Sequence, residues 1–281
     1  MENSLPDFVV IGTMKGGTTS LHKYLGVHPQ VGVSKPKETN FFLDRNKEDL
    51  SWYRGCFEGD FEVCGEVSPN YTKHPGFSGV PKRMHETIPS AKLIYLVRDP
   101  IERAISHYTH NWIKRRISKP IERAFLPVEE SGYLNTSRYY YQIAQYLEYY
   151  ARDRILVIQS ERLRADQEST MAEIFQFIGV DPHLAFEKSM LEEEYNVSTN
   201  KRKMKAIASF LIESKIGQTL KDIGKKITPR KAVNQIKEFL WVDAKKPKLS
   251  EEVRLQAEDY LRGDIEKLRE LTDKTFPGWS V

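Results

Sequence analysis

The chain has 281 residues, 40% of them hydrophobic and 11% aromatic, with a formal net charge of +4; that is enough apolar material for one large core. Two cysteines, Cys56 and Cys64, are too few for a disulfide scaffold, and no C-x-x-C pair or Cys/His cluster suggests zinc, so a reducing cytoplasmic setting and no metal are expected. The opening stretch MENSLPDFVVIG has no basic region and only a brief apolar run, which predicts neither a signal peptide nor a membrane anchor.

In chain order, FVVIG (8–12) reads as a strand, followed by a Gly-rich loop and a helix over Thr19–Val27. A weaker strand pattern lies at FEVCGEV (61–67) and a strong one at KLIYLV (92–97), followed by a helix over Pro100–Lys114. Asp99 reads as the cap of that helix. A helix over Tyr139–Ala151, a strand at RILVIQ (154–159) and a helix over Ser169–Ile178 that runs into Gly179 complete the pattern. Unbroken apolar strands alternating with amphipathic helices imply an α/β fold: a central parallel β-sheet with helices on both faces, of the P-loop nucleotide-binding type. A ligand then belongs at the carboxyl ends of the strands.

From Asn200 onward the strand signal stops. The span Asn200–Lys248 holds 14 Lys and Arg against 4 Asp and Glu, and Ile207, Phe210, Leu211, Ile216, Leu220, Ile223 and Ile227 recur at roughly helical spacing. The expectation is one domain over 1–281, with an α/β core to residue 199 and a helical C-terminal region over 200–281. The basic part of that region reads as a lid, a docked subdomain or a membrane-surface element. Ser250 is placed to cap a last helix ending near Thr272, with Glu251 and Glu252 in its first turn.

The stretch GTMKGGTTSL, Gly12–Leu21, nearly matches G-x-x-x-x-G-K-[ST], but its lysine, Lys15, lies inside the variable part and Thr18 stands where the lysine belongs. Lys15, Gly16, Gly17 and the hydroxyls of Thr18, Thr19 and Ser20 point to an anion held at a helix N-terminus. A kinase or other NTPase, the enzyme alternative, would place its lysine after the last glycine and add a magnesium-binding aspartate. The other alternative is a non-catalytic binder of nucleic acid or anionic polymer through the basic segment. Against that, the segment lacks interleaved aromatics and both phosphate motifs lie elsewhere.

The loop resembles the phosphosulfate-binding loop of sulfotransferases that use 3′-phosphoadenosine 5′-phosphosulfate (PAPS). LIYLVRDPIERAISHY, Leu93–Tyr108, resembles the same family's 3′-phosphate site, which assigns Arg98 and Ser106. KPKETNFF resembles the segment of heparan-type glycan sulfotransferases that carries the general base, here Glu38; His74 is the alternative base, as in small-molecule sulfotransferases. GEVSPNY also resembles the family, with Val67 where many heparan enzymes have lysine. The resemblance covers about residues 6–182. NVSTNKRK sits where the family closes a basic loop over the nucleotide, which adds Lys201 and Arg202. It implies transfer of a sulfuryl group from PAPS, with 3′-phosphoadenosine 5′-phosphate (PAP) as product, to a hydroxyl or amine of a small-molecule or glycan acceptor. Neither metal nor nucleic acid is called for.

Overall fold

The computed structural model describes residues 5–43, 48–114, 116–182, 184, 202–204, 241–243 and 247–281. The chain divides into two compact units: Met1–Tyr108 with Lys119–Asn196 and Lys248–Val281, and Thr109–Ser118 with Val197–Pro247.

The first unit is built on five strands, β1 (Phe8–Gly12), β2 (Val31–Val33), β3 (Val63–Val67), β4 (Lys92–Val97) and β5 (Ile155–Gln159). All pair in parallel, in the order β2-β3-β1-β4-β5. The chain leaves β1 toward β2 and β3 on one side and crosses to β4 and β5 on the other. This strand order puts the topological switch point, where such sheets form their ligand crevice, at the carboxyl end of β1 between the two halves. Every residue of β1 is buried, as a strand covered on both faces requires.

Alternation sorts the strand side chains between two layers. Phe8 and Val10 join Leu21, Tyr24 and Leu25 of α1 (Thr18–Leu25), Leu163 of α8 (Ser160–Ala165), and Met171, Ile174, Phe175 and Ile178 of α9 (Gln167–Ile178) in one core. On the other face Tyr95 of β4 meets Tyr139 of α7 (Tyr139–Leu147) edge to face at 5.8 Å. Helix α3 (Val80–Thr87) packs on α7 from one side. From the other comes a long last helix, Glu251–Thr272, labelled α10 below. Between β4 and α7 the chain forms α4 (Pro100–Ile113) and two short helices, α5 (Ile121–Phe125) and α6 (Gly132–Asn135); α2 (Leu50–Gly55) precedes β3.

The parallel sheet and the helices after β1, β4 and β5 stand where the sequence predicts them. Gly179 ends α9 at φ +96°, and the Ser250 hydroxyl accepts from the Val253 N–H. Strand β2 was not expected: three residues are too few to show a period. In the second unit, Arg202–Met204 and Trp241–Asp243 form an antiparallel pair, which corrects the expectation that no strand follows Asn200. The predicted amphipathic stripe Ile207–Ile227 lies outside the described residues. No helix among the described residues is long and apolar enough to cross a membrane.

Helix α10 buries Val253, Ala257, Leu261, Asp264, Ile265, Leu268 and Thr272. One of these is an acid, for a local reason: α7 has no side-chain cap of its own. Asp264 accepts from the N–H groups of Tyr140 and Tyr141, both at 2.9 Å, so α10 supplies the missing cap. Burial pushes its carboxyl up from 3.8 to about 6, against the pull of those bonds and of Arg138. The folded protein thus holds this proton more tightly than the unfolded chain does. The resulting stabilisation is complete below pH 3.8 and is lost as pH rises through about 6. Thermal unfolding should show Asp264→Ala destabilised by about 1–3 kcal/mol through its orphaned amides. Asp264→Asn should flatten the fall in wild-type stability across that pH window.

Candidate active site

After Gly12 the chain turns through Thr13–Gly17 into α1. The Thr13 N–H donates to the Leu96 carbonyl at 2.8 Å and the Gly16 N–H to the Thr13 carbonyl at 2.9 Å, which presses the loop onto β4. A Cβ on Gly16 would stand 2.7 Å from the Leu96 carbonyl oxygen, so only glycine fits. Gly17 takes φ +103° and Lys15 φ +73°; the left-handed lysine is strain of the kind that gathers at functional sites. Gly17 is the N-cap of α1 and offers it no side-chain acceptor. The first turn thus keeps orphan amides and the positive end of its dipole, beside the hydroxyls of Thr18, Thr19 and Ser20.

Because β4 lies next to β1, its carboxyl end brings Arg98 to the same crevice. Arg98 is half-buried; its carbonyl accepts from the Tyr139 hydroxyl at 2.7 Å. Its guanidinium makes no ion pair or hydrogen bond among the described residues, and the half-buried Ser106 hydroxyl on α4 likewise. Asp99 caps α4 as expected, accepting from the Glu102 N–H at 2.8 Å.

One turn into α4 lies a residue that sequence reasoning missed. Arg103 is fully buried, and its donors reach Ser137 Oγ (2.7 Å), the Tyr133 carbonyl and, at 3.3 Å, the Met14 carbonyl of the loop. Burial pulls its guanidinium below the usual arginine range. It joins the loop to α4 through neutral acceptors, which leaves its positive charge uncancelled by them. The only sequence signal was an arginine on the inward face of a helix.

On the other side of β1, the segment after β2 is tied to β3. The Ser34 N–H donates to the Gly65 carbonyl at 2.9 Å. Beyond it stands Glu38, exposed and paired with Lys37 Nζ at 3.0 Å; a surface pair of this kind is weak and easily exchanged. Burial lowers the pKa of His22 on α1, with Lys37 lowering it further and Glu38 opposing. The segment is held from below by Glu66, which has no exposure at all. Its carboxylate accepts from Thr39 Oγ1, Tyr53 OH (2.9 Å), Ser68 Oγ (2.8 Å) and Tyr71 OH (3.0 Å). Burial raises its pKa, the four hydroxyls opposing. Phe41 stacks on Tyr53 at 4.1 Å and Phe42 meets it edge on at 5.3 Å, closing the aromatic floor.

The remaining expected residues are scattered. His74 lines a separate cavity of about 170 Å³ with Tyr71, Gln142 and Tyr149, which no residue of the loop, Glu38 or Arg98 lines. Val67 is wholly buried in the core. A lysine does reach the loop by another route: Lys73 Nζ lies 2.9 Å from Met14 Sδ and 2.6 Å from Asn70 Oδ1. Lys201 lies outside the described residues, and of Arg202 only the strand backbone is described. Among the described residues no His, Cys, Asp and Glu gather as a metal site.

A model of the Sulfotransferase domain family matches residues 5–272. The chain is similar to the Membrane-associated sulfotransferase kil1 of Dictyostelium discoideum, 39% identical over 141 residues, covering 47% of this chain and 29% of that protein. It is similar to human Heparan sulfate glucosamine 3-O-sulfotransferase 3B1, 32% identical over 201 residues, covering 66% of this chain and 50% of that one. A mouse Bifunctional heparan sulfate N-deacetylase/N-sulfotransferase 4 is 30% identical over 211 residues, covering 66% and 24%. The chain thus spans from about a quarter to half the length of these relatives. Among solved structures, a sulfotransferase from Alicyclobacillus acidocaldarius superposes with a TM-score of 0.70 at 20% identity over 99% of this chain and all of that one, a likeness of fold.

Replacing Glu66 with alanine would strand four buried hydroxyls and should cost about 2–5 kcal/mol. The same change should speed hydrogen exchange at the Asn40, Phe41 and Phe42 amides, which donate to Ser68 Oγ, Thr39 Oγ1 and Tyr71 OH. Protected amides in a folded Glu66→Ala protein would show that the segment is held by something else.

Proposed function

Because the chain belongs to the sulfotransferase domain family, we propose that it transfers a sulfuryl group from PAPS to a hydroxyl or amine of a carbohydrate or other alcohol acceptor. The observation that carries this reading is the pairing of two anion sites at one sheet edge. The uncapped N-terminus of α1 with Lys15 is one; Arg98 with Ser106, free of acidic partners among the described residues, is the other. A nucleotide with anions at its 5′ and 3′ ends fits that donor set, and PAPS, when bound, supplies the reactive sulfuryl group. The carbohydrate acceptor is supported by the names of the relatives, which include both an O- and an N-sulfotransferase of heparan sulfate. A reducing compartment such as the cytoplasm belongs to the same proposal, and the support for it is that the chain has only two cysteines.

In this reading each residue has one task. Lys15 and the first amides of α1 stabilise negative charge that grows on the 5′-phosphate during transfer. Arg98 grips charge already present on the 3′-phosphate with a fork of donors, and Ser106 completes that shell. Glu38 leaves Lys37 and takes the acceptor proton on a carboxylate oxygen as the new bond to sulfur forms. His74, in its separate cavity, is the alternative base. Lys201 and Arg202 remain proposed closing contacts over the nucleotide.

Steady-state kinetics and nucleotide titration separate these tasks. Lys15→Ala should lower turnover more than nucleotide affinity, and Arg98→Ala affinity more than turnover. Glu38→Gln should bind PAP normally and lose transfer by roughly 10²-fold or more, the usual worth of a general base. Near-normal transfer in Glu38→Gln would move the assignment to His74.

A further inference from the structure

After α10 the chain runs back along the end of β5. Lys274 Nζ donates to the Val157 carbonyl at 2.8 Å, and Gln159 Nε2 to the Pro277 carbonyl at 3.0 Å. Phe276 and Trp279 stack with centroids 4.4 Å apart, and Trp279 packs on Tyr139 at 5.7 Å. The same Tyr139 holds the Arg98 carbonyl. The tail is therefore anchored at the strand end that carries Arg98.

Two carboxylates belong to this corner. Asp99 follows Arg98 in the chain, and Glu161 stands in the first turn of α8, two residues past Gln159, the β5 residue paired with Val97. A guanidinium that can reach a carboxylate ordinarily pairs with it, fork to fork, and the Glu161 carboxylate sits on the amide that directly follows Arg98. Here all four carboxylate oxygens are engaged elsewhere. Asp99 accepts from the Glu102 N–H on Oδ1 (2.8 Å) and from the Ser280 N–H on Oδ2 (2.6 Å). Glu161 accepts from the Asp99 N–H on Oε1 (3.1 Å) and from Trp279 Nε1–H on Oε2 (3.3 Å). Two of these four donors come from the tail.

We propose that Trp279 and Ser280 are positioning residues for Arg98: by occupying Glu161 and Asp99 they keep both acids off the guanidinium and leave it to a nucleotide 3′-phosphate. The inference rests on the reading of Arg98 given above. If the tail released them, either acid would compete with the phosphate for the same donors, and its negative charge would repel the ligand. The device acts on affinity for one phosphate only, which distinguishes it from general support of the fold.

The test is calorimetric titration of the full chain with PAP and with adenosine 5′-phosphosulfate, which lacks the 3′-phosphate. Trp279→Phe keeps the ring stack and deletes the indole donor; Ser280→Pro deletes the backbone donor. Each should weaken PAP binding, and together by about tenfold, the usual worth of hydrogen bonds to charged groups. Affinity for adenosine 5′-phosphosulfate should stay unchanged, and in an Arg98→Ala background the tail changes should add nothing. A parallel loss for both nucleotides, or unchanged PAP affinity in both tail variants beside a normal Arg98→Ala loss, overturns the inference alone. Should Arg98→Ala itself leave PAP affinity intact, the 3′-phosphate reading fails and the tail proposal falls with it.

Discussion

A carboxylate with no access to water must be ringed by donors, and much of this crevice is arranged around that demand at Glu66. Its four hydroxyl partners come from the segment after β2, from α2 and from the turn after β3. Satisfying one buried charge therefore fixes three separate pieces of chain at the carboxyl edge. Tyr53 and Tyr71 also bring their rings, on which Phe41 and Phe42 settle. Glu38 is exposed and weakly paired, yet it hangs from neighbours that cannot move without exposing the Glu66 cage. A flexible side chain on a rigid mount suits the role proposed for Glu38, since the mount sets direction and the side chain only has to exchange partners.

The opposite half of the crevice solves the reverse problem of keeping positive charge available. Lys15 sits at the positive end of α1, Arg98 at the end of β4, and Arg103 is buried behind both, bonded to carbonyls and a hydroxyl. Burying a guanidinium is costly, and burial depresses its pKa. That cost yields a field which favours anions in front of it and ties the Met14 carbonyl of the loop to α4. The nearby acids Asp99 and Glu161 are withdrawn into caps and tail contacts. Charge in this corner is thus set by which hydrogen bonds are already taken, more than by how many charged residues are present.

How much was legible in advance follows the range of the interactions. The strands, the loop, the Asp99 cap, the Gly179 stop and the Ser250 cap each depend on residues within a few positions, and all were readable from the chain. The positions of Lys15 and Arg98 after strands, and of Ser106 on the following helix, were readable for the same reason. Glu66 was not: an acid inside an apolar strand carries no local sign that hydroxyls from three segments will surround it. Arg103 looked like any helical arginine, and Val67 looked like a missing lysine when it is simply core. Strand β2 was too short to show a period, and the pair Arg202–Met204 with Trp241–Asp243 joins residues too far apart for any pattern.

By itself the sequence determined the parallel α/β architecture and the glycine-rich turn of the loop into α1, because hydrophobic period, glycine freedom and helix caps are properties of neighbouring residues. It also determined which strand ends carry lysine and arginine. Only the tertiary structure decided that the loop and Arg98 share one edge, that Glu66 mounts the Glu38 segment, that Asp264 caps α7 from another helix, and that the tail donates to Asp99 and Glu161. Each of these joins groups distant in the chain, and their strength comes from shared burial, which exists only once the layers have closed.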